Sequence, residues 1–435
     1  MARRLLSQLW AQILIAMTLG IVTGLLIREG GALSGLFEPK AVQDTLKLIG
    51  DAFVRLIRML AVPLIFVTVA AAVVSIGDLA KLGSSGARVA ALYIPSGFLA
   101  AAVGVVLAFV LQPGAGLDPA AGGPITPAEP PSPPTAQDIL WQFIPANPIQ
   151  ALAEGQMLSV IVFALLFGLG VLGAREDGKP VADLLQAAAA SLMTLVGYVM
   201  KLAPIGAFAL MAWVVAVLGI EALGRLGMLV VAVYVGCIGY GVVVYGGFIK
   251  FVLGLPLLPF VKGLSEAKAV AYATASSNAT LPVTLRCMVQ KLGISHRMSS
   301  FVASMGATVN MDGTALYISL VTIFGAQLFG VELNAAQIVS IIIASSIGAI
   351  GAAGIPGGSL VFIPMVLASV GVPIEVVGII LAVDRINDMM RTVLNVAGDA
   401  VAAVAVAKWE GELDEDAYRN NRPHHTDPMS AAPAA

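Results

Sequence analysis

Six predominantly apolar runs fill most of the first 251 residues: Gln12 to Ile27, Leu46 to Ile76, Val89 to Gln112, Met157 to Ala174, Val181 to Ile220 and Leu226 to Phe251. About 20 apolar residues cross a bilayer as an upright helix, so the longer runs must tilt or continue into water. Hydrocarbon offers no partner to a peptide N–H or C=O, and segments of this length satisfy themselves only as helices. The predicted fold class is an all-α polytopic membrane protein. Composition agrees: 58% of the 435 residues are hydrophobic and 11% charged, whereas soluble domains are about 25% charged. A net charge of -2 leaves no basic footprint for nucleic acid. The two cysteines, Cys237 and Cys287, lie in apolar surroundings and fit neither a disulfide framework nor a zinc site.

The first run follows Arg3 and Arg4, as the apolar region of a signal peptide would. More apolar segments follow and no clear small-residue cleavage site appears, so it reads as a first membrane helix. Pro113 to Pro134 interrupts the series with eight prolines and no Lys or Arg, and is predicted to be an irregular exposed loop. Arg3 and Arg4, Lys81 and Arg88, and Arg175 and Lys179 all fall on the side opposite that loop. The positive-inside rule then puts the N-terminus in the cytoplasm and the loop outside. The tail after Lys408 is polar, has no apolar period, and is expected to be disordered.

From Leu255 onward most apolar runs are too short to cross. In AYATASSNATLPVTL two short arms meet at Ser276, Ser277, Asn278 and Thr280, before Pro282. In SSIGAIGAAGIPGGSLVFIPMVL the break is Gly354, Pro356, Gly357, Gly358 and Ser359. Arms of about 10–14 residues favour re-entrant segments, and non-helical backbone at membrane depth survives only against protein or a water-lined cavity. Two interrupted segments in one chain point to a transporter's substrate site. Small residues also allow close helix packing, which accounts for one such segment more easily than for two placed around Asn310–Thr314.

The last apolar segment, VDRINDMMRTVLNVAGDAVAAVAVA, carries Asp384, Asp388, Arg391, Asn395 and Asp399 at spacings of 4, 3, 4 and 4. On a helical wheel they fall at about 0°, 40°, -20°, 20° and 60°, one polar stripe. Ionised groups at this depth cost about 2.5–3.5 kcal/mol each on the insertion scale, so they face a cavity, a partner or an ion. An internal Asp388–Arg391 pair at i, i+3 explains two of them. It leaves Asn395, Asp399 and the equally apolar-flanked Asp312 to be explained. Carboxylates beside amides and broken-helix carbonyls suit a hard monovalent cation. The Arg391 fork matches a carboxylate, and Asp388 can take an ammonium. Arg, Asp and half-helix N-termini together read as a receptor for a small zwitterion with an acidic side chain.

TASSNATLPVT, NMDGTALY, GAAGIPGGS and DMMRTVLNVAGD, in this order, resemble the dicarboxylate/amino acid:cation symporter family of glutamate and aspartate transporters. The resemblance runs over roughly residues 10–408 and includes IPANPIQALAEGQMLSVIVFALLFG. It implies eight membrane helices, two re-entrant hairpins, a homotrimer and an elevator-like movement. The scaffold and trimer contacts would be residues 1–86 and 138–220, and the transport domain residues 87–112 and 221–408. Residues 113–137 would be an external loop and 409–435 a cytoplasmic tail. The substrate site carried over is Ser276, Ser277, Met311, Thr314, Gly357, Ser359, Asp388, Arg391, Thr392 and Asn395. Arg391 would hold the side-chain carboxylate, Asp388 the amino group, and Thr392 and Asn395 the α-carboxylate end. Implied sodium ligands are Asp399, Asn395, Gly306 and Asn310 at one site, and Asp312, Asn310, Tyr93 and Ser96 at another. A third would use backbone oxygens of Thr308, Ala349, Ile350 and Ala352. The second hairpin would be the gate. Four positions depart from the family pattern. Ala275 and Met389 stand where a second arginine is often found. Ile318 replaces the glutamate of proton-coupled animal members, so that form of proton and potassium coupling is not implied, and Gly97 replaces a hydroxyl residue.

Rival classes fit less well. An intramembrane aspartyl protease needs GxGD, and VAGD at Asp399 lacks the first glycine. A passive channel has no need for Arg391 within a stripe of acids. GAREDGKP has P-loop spacing, but Pro180 takes the place of Ser/Thr and no strand precedes it. The runner-up readings are a C4-dicarboxylate or neutral amino acid carrier, or coupling to protons in place of sodium.

Overall fold

A computed structural model describes residues 9–28, 31, 38–80, 84–115, 144–219, 221–352 and 357–423. Every regular element among them is a helix, and the one strand-like pairing is an isolated bridge between Ile294 and Leu413. In chain order the helices that matter are α1 (Leu9–Ile27), α2 (Pro39–Ala80), α3 (Ser84–Leu111), α4 (Pro148–Glu154), α5 (Met157–Gly173), α6 (Lys179–Met200) and α7 (Ala203–Leu218). They continue with α8 (Glu221–Tyr240), α9 (Leu257–Gly263), α10 (Ser265–Thr274), α11 (Ser277–Lys291), α12 (His296–Val309), α13 (Asp312–Leu328), α14 (Ala335–Gly351), α15 (Ser359–Ser369), α16 (Val376–Glu410) and α17 (Glu415–Asn420).

Five stretches among the described residues are long and apolar enough to cross a membrane, and six shorter apolar helices accompany them. The run expected over Val181 to Ile220 divides into α6 and α7 at Lys201–Leu202. Most of the expected loop, from residue 116 to 143, lies outside the described residues. α1, α2, α5, α6 and α7 pack mainly on one another; α3, α8 and α10 to α16 pack around α13 and α16. Within the apolar stretch His296–Leu328, the part that follows the α12–α13 break is buried without interruption from Asp312 to Ala326.

At both expected interruptions two short helices pack on each other, α10 on α11 and α14 on α15. α10 ends at Ala275, in the left-handed region at φ 50, and Ser276 starts α11 by accepting from Ala279 N with its own side chain. The break thus sits at Ala275–Ser276, just ahead of the Ser276–Thr280 stretch the sequence marks. Pro282 lies inside α11 rather than at the turn. α14 and α15 form the second hairpin; Gly354 and Pro356 lie outside the described residues. Gly357 has φ 73, closed to most side chains. Gly358, also part of the break the sequence marks, is ordinary helical backbone at φ -55, ψ -34.

The tail departs from expectation. α16 continues to Glu410, and residues 411–423 fold back onto the bundle instead of being disordered. Ser295 N donates to Glu412 O (3.3 Å) and Asp414 N to Gly293 O (2.9 Å). Buried Tyr418 donates its hydroxyl to Pro256 O (3.0 Å), and the Asn421 amide donates to Pro259 O (2.8 Å) and Lys291 O (3.0 Å). No apolar period marks the segment because its order comes from backbone carbonyls at the end of the bundle, with Tyr418 as the anchor. Residues 424–435 lie outside the described residues. Tyr418→Ala is expected to cost about 3–5 kcal/mol, as for other large buried aromatics. A thermal melt in detergent should show a clear loss, and an unchanged midpoint would mean the tail only rests on the bundle.

Candidate functional site

The break falls at Asn310 and Met311, the caps of α12 and α13: Asn310 N still donates to Gly306 O and Met311 O accepts from Ala315 N (both 2.9 Å), with Asp312 first in α13. A helix start exposes four N–H groups, and Met311 provides no side-chain cap. The cap comes from α16: Gly313 N donates to Asn395 Oδ1 at 2.8 Å. Gly313 is required for that approach, since a Cβ there would lie 2.5 Å from the Arg391 carbonyl oxygen.

The stripe predicted on the last helix is present on α16. Asp384, Asp388, Arg391, Asn395 and Asp399 are all buried. The internal ion pair forms: Arg391 Nη2 lies 2.8 Å from Asp388 Oδ1 and 3.4 Å from Asp384 Oδ1. Nη1 donates to Ser359 Oγ at 2.5 Å, and the guanidinium stacks 4.0 Å from the Tyr317 ring centroid. The second carboxylate oxygen of Asp388 accepts from Gly357 N at 2.8 Å, which ties the tip of the second hairpin to α16. The first hairpin is tied by Arg385, whose Nη2 donates to the carbonyls of Thr274 (3.2 Å) and Ala273 (3.3 Å).

Between these elements lies a small cavity lined by Ala275, Ser277, Met311, Thr314, Ala352, Ser359, Asp388, Thr392 and Asn395. Seven of the ten expected substrate residues are in that lining. Of the others, Ser276 caps α11, Gly357 meets Asp388 behind the lining, and Arg391 sits behind Ser359. Asn395 donates to Met311 Sδ at 3.1 Å, and Thr392 donates back to the Asp388 carbonyl at 2.9 Å.

Asp312 and Asp399, which the internal ion pair leaves unexplained, meet neutral hydrogen-bond donors. Asp312 accepts from Ser96 Oγ (3.1 Å) and from Tyr245 OH (2.6 Å). Asp399 accepts from the Asn310 amide (2.9 Å), which also reaches Asn395 O (3.2 Å). A Cβ on Gly306 would collide with the Asp399 carboxylate and lie 2.6 Å from Tyr93 OH, so Gly306, Asp399 and Tyr93 converge. Tyr93 donates to Val302 O (3.1 Å) rather than to Asp312. Thr308 is exposed and donates to Met305 O (2.9 Å), while Ala349, Ile350 and Ala352 end α14. The groups around Asp312 are hydroxyl oxygens, part of the set a hard cation takes, whereas Asp399 meets the amide nitrogen of Asn310. Among the described residues no three His, Cys, Asp or Glu side chains gather as a transition-metal site would require.

Tyr245 was not among the expected ligands. It closes a π-helical turn, Gly241–Tyr245, that follows α8, and such turns are frequent at functional sites. Tyr240, one turn earlier, donates to Ser96 O at 2.8 Å and fixes the same corner. Two tyrosines five apart in an otherwise apolar run were the available signal. A Cβ on Gly97 would lie 3.8 Å from Asp312 Oδ1, so that position borders the carboxylate but brings no hydroxyl to it.

Apolar helices broken three times around a small charged cavity define a membrane carrier. The family model for the sodium:dicarboxylate symporters matches residues 9–409. The chain is 34% identical over 411 residues to the proton/sodium-glutamate symport proteins of Bacillus caldotenax and Geobacillus stearothermophilus, covering 93% of this chain and 95% of theirs. It is also 34% identical over 419 residues to the C4-dicarboxylate transport protein of Anaeromyxobacter sp. (strain K), covering 95% of this chain and 92% of that one. The chain belongs to the sodium:dicarboxylate symporter family, a family of transporters.

Valine at position 357 would be held at φ 73 at a cost of about 1–3 kcal/mol, pulling the tip N–H away from Asp388. Gly357→Val should therefore speed thiol labelling of a cysteine placed at Ser359. Equal labelling rates with and without the valine would show that this hydrogen bond does not hold the tip.

Proposed function

We propose that the protein takes up an acidic amino acid, aspartate or glutamate, together with sodium, as a secondary active symporter. The observation that carries this is the meeting of Asp388, in the cavity wall, with Arg391 behind Ser359. A zwitterion with a side-chain carboxylate can replace that internal pair by two of its own, ammonium to Asp388 and carboxylate to Arg391. A C4-dicarboxylate brings no ammonium for Asp388, and its case rests on the equally similar relatives that carry that name. Competition between aspartate and succinate for uptake into proteoliposomes decides between the two. Sodium and proton gradients imposed separately decide the coupling ion.

Sodium would bind at the oxygens around Asp312, Ser96, Tyr93 and Asn310, and at those around Asp399, Asn395 and Gly306. The Asn310 amide would turn its oxygen inward. In this reading eight helices cross the cell inner membrane, with both termini cytoplasmic and residues 113–137 outside. Residues 87–112 and 221–408 move as the transport domain against residues 1–86 and 138–220. The latter hold a homotrimer together, and the second hairpin opens as the gate.

Asp312→Asn and Asp399→Asn each remove a charge while keeping shape. Both should raise the sodium needed for half-maximal uptake or abolish uptake, with insertion intact. Unchanged sodium dependence in both would assign these aspartates to structural pairing alone.

Arg391→Cys should weaken acidic substrates by about 30- to 4,000-fold, the effect of truncating one partner of a buried charge pair. Small neutral amino acids such as serine should then compete better than in wild type. Near wild-type affinity for acidic substrates in the variant would place the side-chain pocket elsewhere.

A further inference from the structure

The polar stripe of α16 is wider than its charged members. Asn387 lies at about -60° on the same wheel, beside Arg391 at about -20° and four residues before it. It is 0% exposed, and neither its amide nitrogen nor its amide oxygen has a protein partner. Two neighbours share this condition: the Tyr317 hydroxyl and Arg391 Nε are buried and unpaired among the protein atoms. The Tyr317 hydroxyl lies within loose hydrogen-bonding reach of both Asp384 and Asn387 without the geometry of a formed bond to either, and its ring stacks on the guanidinium. Interiors leave few polar atoms unmet, and a buried amide without partners is costly. Four such atoms on three neighbouring side chains therefore point to a second arrangement of the same groups.

The arrangement seen turns both Nη atoms of Arg391 onto protein partners, Ser359 on one side and Asp388 and Asp384 on the other. To hold a ligand carboxylate, the fork must turn away from Ser359 and Asp388 towards the cavity. We propose that Asn387 is a positioning residue for Arg391 in that turned state. Its Oδ1 accepts from Nε–H, the edge of the guanidinium facing away from the substrate. Its Nδ2 donates to the Tyr317 oxygen, and the Tyr317 hydroxyl donates to Asp384. Every donor left unmet then has an acceptor, and the fork is held at the angle a carboxylate needs. Selectivity for an acidic side chain thus depends on an amide that does not touch the substrate. This rests on the reading of Arg391 as the carboxylate's partner.

Uptake by the full-length chain in proteoliposomes, with labelled aspartate and separately with labelled succinate, tests it. Asn387→Leu should raise the half-saturating concentration of the acidic substrate about 10-fold, as loss of a hydrogen bond to a charged group does. Maximal rate and sodium half-saturation should stay at wild-type values. Asn387→Asp, which offers the guanidinium another carboxylate, should raise it further, and Asn387→Ser, which keeps a short acceptor, should fall between wild type and Leu. Should Asn387→Leu fail to insert, the Asp and Ser variants carry the comparison. An unchanged half-saturation across the inserted variants, or a rise matched by loss of rate and of sodium affinity, overturns the proposal. Arg391→Cys, run alongside, separates the two levels. If that variant keeps acidic affinity, the reading of Arg391 fails. If it loses affinity while the Asn387 variants do not, only the role of Asn387 fails.

Discussion

Broken helices need their ends satisfied, and here one continuous helix does it for three of them. Asn395 meets the N-terminus of α13, Asp388 meets the N–H of Gly357 ahead of α15, and Arg385 meets the last carbonyls of α10. An unmet backbone group in a low-dielectric interior costs several kcal/mol, so these contacts decide whether backbone can be irregular at this depth at all. α16 can serve because its own ladder is complete along 35 residues and its polar side chains share one side.

The same contacts carry the chemistry. Asp388 is held at once by Arg391 and by Gly357, and Arg391 at once by Asp388, Asp384 and Ser359. A buried charge that loses its partner is destabilising by several kcal/mol, so the internal pair keeps the site tolerable when no substrate is present. On the proposed reading an acidic amino acid exchanges that pair for two matched ones, and its α-carboxylate brings one net negative charge into the pocket for the co-bound cation to offset. The hairpin tip shares Asp388 with the incoming ammonium, which couples occupancy to the position of the second hairpin.

Much of this was legible in the sequence. The five-residue stripe, the α12–α13 break at Asn310–Met311 and both hairpins were there to be read, because period, apolar flanks and Gly/Ser interruptions are local properties. Tyr245 was not, because a π-helical turn after α8 shifts the face on which it falls by one residue, and its spacing from Tyr240 was the one signal. Asn387 fell outside the stripe because only charged residues and Asn395 were used to draw it. The order of residues 411–423 was hidden for another reason. Their partners are carbonyls of residues 256, 259, 291 and 293, and contacts of that separation leave no period in the sequence.

The helix on which the broken ends depend follows all of them in the chain. While residues 265–369 are being made, none of α16 exists, and the contacts from Arg385, Asp388 and Asn395 cannot yet form. A chain stopped short of residue 376 would hold every apolar segment but the final one and still lack a partner for each interruption. The polar ends are therefore a debt carried through synthesis until α16 is made and residues 411–423 fold over the bundle's end behind it.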